Sequence, residues 1–369
     1  MRRFIALVGV LALCALAAED DAFLAITIDT SVTKMVGMPE IEMPDLGDLP
    51  EGFELPPEAM AMFGGGAPTH QMEVRLWSPG DAPAGAEATL TPPAGFQGGA
   101  ALPLEIQRSG ERKERRDPSE REPFNPDDMP DMTIKQYWGS SRTVRDGQPR
   151  IIRLRDEVDL DNFDWDAVDD HLAAIEAAQD RADEKGWTSA TWPNERAKHP
   201  QLTLQDLLPG VWNLATTYTG NATLQVPNNV NILGAFELAG LTEEPDWSQF
   251  LDLTWKPIPG LLGSQATMVG SEDENTMVIW SSVETADYDE PPWDYLSAAA
   301  VRAAIQQKLI VPPDTTTLYV PAGIFADSQH TSLMMTGWGQ GAANDEGDTK
   351  VRLQLKTELM TSFLDPDQF

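Results

Sequence analysis

Cysteine is nearly missing from this chain of 369 residues: Cys14 stands alone. A disulfide framework, a thiol nucleophile and a thiolate metal site beyond residue 14 are therefore excluded. Basic residues are also scarce, 26 against 59 acidic ones, for a net charge of −33. Such a surface repels nucleic acid and anionic lipid, so cationic or neutral partners and metal ions are the expected company. The same charge is equally that of a plain solvated acidic coat. Histidine is limited to His70, His171, His199 and His330. No two have the spacing of helical zinc ligands, and HExxH is absent.

Long apolar runs are lacking as well. Only Phe4 to Leu16, behind Arg2 and Arg3, is continuous, and it is short for a bilayer span. It ends in Ala15-Leu16-Ala17, the small-x-small form of a secretory cleavage site. The expectation is a signal peptide over 1–17, cleaved after Ala17, and a periplasmic or secreted protein with no integral membrane segment in its mature part. A lipoprotein signal needs a small residue before Cys14, where Leu13 stands.

What the chain does have is alternation. Ala22 to Val36 is rich in β-branched residues and predicts a strand, and Met72, Val74 and Leu76 alternate with polar residues in a strand able to pair with it. Phe250 to Ser282 predicts a meander of three strands, broken by Pro257-Ile258-Pro259-Gly260 and by Gly270 to Asn275. Strands are further expected over Met132 to Trp138, Pro149 to Arg155, Val211 to Tyr218, Ala222 to Val226, Val230 to Leu238, Thr315 to Val320, Thr331 to Thr336 and Val351 to Leu359. Trp187 to Leu208 is read as irregular. Two helices are expected, one near 162–185 capped by Asp161 or Asn162, and one near 297–308 capped by Ser297.

Many short strands with few helices predict a mainly β fold, an antiparallel β-sandwich of immunoglobulin or fibronectin type with two helical insertions. The spacing Trp255-x-Pro257-x-Pro259-Gly260 resembles the second strand and turn of fibronectin type III domains. The domain plan is an N-terminal β region over 18–107, with a Met/Pro-rich acidic loop from Gly37 to Gly66. A charged linker follows over 108–130, then a C-terminal sandwich over 131–369.

Further motifs are Tyr137 to Arg150 (YWGSSRTVRDGQPR), Trp192 to Arg196 (WPNER), Val278 to Ser282 (VIWSS), Trp293 to Ser297 (WDYLS) and Val320 to Ala326 (VPAGIFA). Together they resemble a family of uncharacterised exported proteobacterial proteins. That resemblance implies an envelope address and carries no activity. It places a cysteine near Ser140 in other members, where this chain has serine.

Several residue groups are candidates for chemistry. Met35, Met38 and Met43, with Met60, Met62 and Met72, offer soft thioethers suited to Cu(I). Methionines filling gaps beneath a loop give the same composition. Asp159, Asp161 and Asp164 lie in an acidic run that suggests Ca²⁺, but an EF-hand register from Asp159 puts Phe163 where an oxygen ligand belongs. An acid-rich helix start accounts for the run equally well. Ser140 and Ser141 sit between two strands without the GxSxG elbow of a serine hydrolase. Gly337 to Ala342 fits GxGxxA after a strand, but no helix pattern follows, so a glycine-rich connection between strands is expected. Tryptophans on a sandwich edge can stack on sugars, while burial is their ordinary fate. Three functions follow: a non-enzymatic envelope protein binding a protein or glycan ligand, a periplasmic copper or calcium binder, and a carbohydrate-active hydrolase using paired carboxylates.

Overall fold

A computed structural model describes residues 21–36, 67–107, 132–153, 188–193, 202–239, 241, 245–286 and 296–363. The segments expected to be a signal peptide (1–17), a charged linker (108–130) and a helix (near 162–185) lie outside these residues. In chain order the strands are β1 (Ala22–Val36), β2 (Thr69–Ser78), β3 (Ala88–Thr91), β4 (Leu102–Pro103), β5 (Glu105–Gln107) and β6 (Thr133–Trp138). Next come β7 (Arg150–Arg153), β8 (Thr188–Trp192), β9 (Gly210–Thr216), β10 (Ala222–Val226), β11 (Leu251–Thr254) and β12 (Leu261–Asp273). The last are β13 (Thr276–Ser281), β14 (Thr317–Val320), β15 (His330–Gly339), β16 (Ala342–Asn344) and β17 (Thr349–Phe363). One helix, α1 (Ala298–Gln306), is described; Ser297 caps it by accepting from the Ala300 N–H.

The fold is mainly β. Its largest sheet runs β5-β8-β2-β1-β17-β15-β12-β13-β6-β7, with β16 attached to β17. β1 lies between β2, antiparallel, and β17, parallel and in register along its whole length from Ala22 opposite Thr349 to Val36 opposite Phe363. Residues on both sides of 108–130 thus share one hydrogen-bonded sheet. A second sheet has the order β10-β9-β3-β4, and β11 and β14 form a two-stranded sheet.

The core explains these positions. Leu24, Ile26, Ile28 and Val32 of β1 and Val351, Leu353, Leu355 and Leu359 of β17 point inward, where Trp212, Leu214 and Leu224 of the second sheet join them in one buried cluster. Burying each such side chain stabilises the fold by about 1.5–3 kcal/mol. Trp212 and Trp280 are among the largest side chains fully buried. A smaller cluster beneath α1 joins Val283, Val301, Ala304, Leu309, Ile310 and Trp338.

The structure corrects four expectations. β12 and β13 form the predicted hairpin, but β11 leaves the meander and pairs with β14 instead. Pro257, Pro259 and the left-handed Gly260 (φ 84°) turn the chain from one sheet into another between them. Val230 to Leu238 is buried at Val230, Leu233 and Phe236 yet forms no strand; part of its backbone is satisfied by a side chain, Thr30 Oγ1 donating to the Leu233 carbonyl at 2.8 Å. Within Trp187 to Leu208, β8 pairs with β2 and β5. The stretch 79–101, rich in glycine, proline and alanine and assigned no strand in the sequence reading, holds β3, paired with β9 and β4. Both strands are too short for alternation to reveal them. Among the described residues no helix is long and apolar enough to cross a membrane.

Candidate functional site

The connection from β6 to β7 is anchored at both ends and along its length. It begins at Gly139, whose φ of 84° belongs to the left-handed region. The conformation calls for glycine, and a Cβ there would stand 2.2 Å from Arg145 Nη1, so the guanidinium would have to swing away from its present place. The Gly139 N–H donates to the Ser281 carbonyl at 2.9 Å, and buried Trp280 donates its indole N–H to the Gly139 carbonyl at 3.1 Å. The β6·β13 pairing is thereby carried past the strand ends.

Arg145 then ties the loop to the segment after β13. Its Nη1 donates to Glu284 Oε2 at 2.6 Å and its Nη2 to Oε1 at 3.1 Å. The same Nη2 donates to the Ser140 carbonyl at 2.9 Å, and the Ser140 N–H donates to Glu284 Oε1 at 3.3 Å. The Arg145 bond holds the Glu284 carboxyl below the usual carboxylate range, against the opposing effect of partial burial. Reciprocally, Glu284 raises the Arg145 guanidinium above its ordinary value. At the far end of the loop Gln148 Nε2 donates to the Trp138 carbonyl at 2.7 Å.

Between these anchors the loop runs along the edge of β14. The Tyr319 N–H donates to Ser140 Oγ at 2.8 Å, and the Ser141 N–H donates to the Tyr319 carbonyl at 3.0 Å. The Ala322 N–H donates to the Arg142 carbonyl at 3.1 Å. With its backbone fixed on both sides, Arg142 lays its guanidinium against two rings, its Cζ 4.7 Å from the centroids of both Phe250 and Tyr319. The rings meet edge to face, centroids 5.8 Å apart at 79°. Arg142 Nη2 also donates to the Tyr319 hydroxyl at 3.3 Å. Phe250 is placed by β11, whose Leu251 is opposite Val320 of β14.

Arg142 and Phe250 are exposed. Among the described residues no carboxylate pairs with Arg142, in a chain where acids outnumber bases 59 to 26. A guanidinium is planar and weakly hydrated, and stacking on rings leaves its remaining N–H edge available to an incoming acceptor. An Arg held between an exposed Phe and a half-buried Tyr is the composition of an interface hot spot.

Three of the motifs singled out in the sequence meet here: 137–150 provides the loop, 278–282 its floor, and 320–326 the edge it follows. The serines have structural roles. Ser140 Oγ accepts from Tyr319 as described, and Ser141 Oγ donates to the Thr143 carbonyl at 2.8 Å. Neither has a histidine partner among the described residues.

A histidine does align with a hydroxyl elsewhere. Thr30 Oγ1 gives its one proton to the Leu233 carbonyl, so the 2.8 Å contact with His70 Nδ1 is made by the ring N–H. Burial lowers the His70 pKa, and the negative Asp206 partly opposes this. Asp206 is itself committed, accepting from the Gln97 N–H, the Thr203 N–H and the Thr203 hydroxyl. Thr30 is fully buried. The arrangement staples the 230–238 segment to β1 and presents no nucleophile.

Of the residues expected to hold a metal, Met35 lies near the end of β1, half-buried, while Met38, Met43, Asp159, Asp161 and Asp164 fall outside the described residues, as do His171 and His199. Among the described residues no cluster of three or more histidine, cysteine, aspartate or glutamate side chains is poised for a metal ion. Trp212, Trp280 and Trp338 are core residues. Gly337 belongs to β15, where a Cβ would meet Leu261 at 2.7 Å, and the chain after it enters β16. The Arg142 clamp itself is not legible in the sequence, where Arg142 is one arginine in the polar run Ser140-Ser141-Arg142-Thr143-Val144. No family model, curated protein or solved structure matches this chain.

Proposed function

We propose that this is an exported, non-enzymatic binding protein of the cell envelope, related to the uncharacterised exported family its motifs resemble, and that it engages its partner through the Arg142 clamp. The observation that carries the reading is the fixed guanidinium between Phe250 and Tyr319, without a carboxylate partner among the described residues. Preorganisation of this kind reduces the ordering penalty of association. The partner surface it suits offers a hydrogen-bond acceptor, such as a backbone carbonyl or a sugar hydroxyl, beside an apolar contact for Phe250, as on a protein or a glycan.

Sandwich packing belongs to the same reading. The large sheet and the four-stranded sheet contribute to one buried cluster, which favours a two-layer β scaffold presenting loops at its rim. The leader-like stretch at 1–17 supports the envelope address.

The test uses immobilised mature protein and its Arg142→Ala variant as baits in an envelope extract, followed by measured affinity for whatever the wild type retains. A hot-spot arginine predicts at least 2 kcal/mol of lost binding, about 30-fold, with folding unchanged. Equal retention by the two baits would refute the clamp as the binding surface. Turnover of a retained glycan would refute the non-enzymatic reading.

A further inference from the structure

The second sheet is built from chain that is almost without charge. From Ala88 to Leu104 there is no charged residue, and from Leu202 to Phe236 the sole one is Asp206, although 23% of the whole chain is charged and the net charge is −33. Asp206 is buried, and its carboxylate is spent on the N–H groups of Gln97 and Thr203 and on the Thr203 hydroxyl. None of β3, β4, β9 and β10 brings a charge to the surface. Charge returns in sequence with Glu87 and Glu105, at the end of β3 and β4 away from the 92–101 loop.

The strand register gathers the outward residues into one open face. Thr91 is opposite Asn213, which is opposite Thr223 on its other side, and Val211 is opposite Gln225. All five are exposed. Their chain neighbours Leu90, Trp212, Leu214, Leu224 and Val226 are buried, so the five side chains point away from the core. Two leucines stand at the end where β9 begins. Their turn is closed by the Asp206 N–H donating to the Thr203 carbonyl at 3.0 Å, and Asp206 Oδ1 ties it to the Gln97 N–H at 2.8 Å. Leu207 lies beside Gly95, where a Cβ would stand 3.1 Å from Leu207 Cδ1. Leu204, Leu207 and Val211 are nonetheless exposed at 56%, 53% and 44%. Apolar groups fixed in this way lose little freedom on association.

We propose that this face is a self-association surface, on which a second copy of the chain docks about a two-fold axis. Two molecules that each carry a charge of −33 repel one another, and acids set against acids across a contact oppose association. Here two copies meet without bringing any acid of these strands against another. A two-fold contact must also complement itself. Thr91, Asn213, Thr223 and Gln225 suit that requirement, because a hydroxyl or an amide is donor and acceptor at once and pairs with its own kind. A basic partner is drawn instead to the acidic surfaces elsewhere on the molecule. The face shares no residue with the Arg142 clamp, so both contacts are available to one chain.

The experiment is sedimentation velocity on the chain from Ala18 to Phe369 over about 1–100 μM, at about 0.05 M and about 0.5 M NaCl. It compares wild type, Leu207→Glu/Val211→Glu, and Met334→Glu/Met360→Glu, which adds the same charge at two exposed positions of the large sheet. The proposal expects a wild-type monomer–dimer equilibrium that tightens at the higher salt, where repulsion is screened. Leu207→Glu/Val211→Glu should weaken the dimer at least about 100-fold, and the large-sheet variant should stay within about threefold of wild type. Methyl-¹³C spectra of the wild type keep the test valid should the first variant misfold: the signals of Leu204, Leu207 and Val211 should shift as concentration rises. A wild type monomeric under all these conditions, a dimer weakened by salt, a dimer indifferent to Leu207→Glu/Val211→Glu, equal weakening by the large-sheet variant, or unmoved methyl signals would each overturn it. So would a monomer whose same signals move on addition of the neutral glucan dextran, which would give the face to a glycan.

Discussion

Arg145 and Glu284 meet through two hydrogen bonds, Nη1 to Oε2 at 2.6 Å and Nη2 to Oε1 at 3.1 Å, joining the β6–β7 loop to the chain leaving β13. Because the Glu284 pKa is lowered in the folded state, its contribution to stability is present above the ordinary carboxylate value and is lost as pH falls through the lowered one. The Arg145 pKa is raised, so its share is lost only as pH rises through that raised value, in strong alkali. Glu284→Gln should therefore flatten the acid limb of stability and speed amide exchange at Ser140. Both side chains are over a third exposed, at 35% and 38%, so the loss at neutral pH should be about 1 kcal/mol or less. Identical acid limbs and exchange rates would show that the pair does not hold the loop.

Gly139 and Gly147 provide an internal control in the same loop. Both have φ of 84°, so alanine at either should destabilise by about 1–2 kcal/mol from backbone strain. Only at Gly139 would the new Cβ collide with Arg145, at 2.2 Å from Nη1, while at Gly147 nothing lies within 4 Å. Urea midpoints should place Gly139→Ala below Gly147→Ala, and only the former should loosen the Arg142 clamp. Equal midpoints would mean that Arg145 moves aside without consequence.

Much of the scaffold was legible because alternation is a local signal. β1, β2, the β12–β13 hairpin, β17 and the Ser297-capped helix all follow from periodicity, turns or caps. The partners of these strands were less so: the β1–β2 pairing was foreseen, whereas β1 beside β17 joins opposite ends of the chain, and no local rule specifies that. β11 looked like a meander strand because Leu251, Leu253 and Trp255 alternate, yet alternation says nothing of which sheet a strand enters. Val230 to Leu238 misled for the opposite reason: its apolar residues are buried, but Thr30 takes up the Leu233 carbonyl that a neighbouring strand would otherwise satisfy. At the site, the 137–150 stretch stands out in the sequence, but its recognisable chemistry lies in Ser140 and Ser141 rather than in Arg142. The clamp depends on Phe250 and Tyr319 arriving from β11 and β14, a pairing the sequence did not suggest.

His70 should act as an acid-sensitive staple. Its pKa is lowered by burial, with Asp206 the negative group opposing that shift. Stabilisation by the neutral ring is thus present above the ordinary histidine value, about 6.5, and declines as pH falls toward the lowered folded value. His70→Asn keeps a donor for Thr30 and removes the titration. Wild-type stability should decline from about pH 7 to pH 5 while the variant stays flatter over that interval. Parallel pH profiles would contradict the neutral, Nδ1-protonated ring.

Trp280 couples the core to the loop. It is fully buried and its indole N–H holds the Gly139 carbonyl at 3.1 Å. Trp280→Phe keeps most of the apolar bulk but leaves a carbonyl without that donor, an expected loss of about 1–3 kcal/mol. Loop amides from Gly139 to Arg145 should lose protection beyond the global change. Uniform loss across the sheet would assign Trp280 a packing role alone.

The most direct measurement is photo-crosslinking in cells that produce the protein, with benzoylphenylalanine at position 250 in place of Phe250. An aromatic group stays beside Arg142, and anything docked on the clamp lies within its reach. One dominant adduct is predicted, lost with Arg142→Ala and reduced with Arg142→Lys, because an ammonium cannot reproduce the stacked planar fork. No adduct, or one indifferent to both substitutions, would contradict the assignment of this surface to binding.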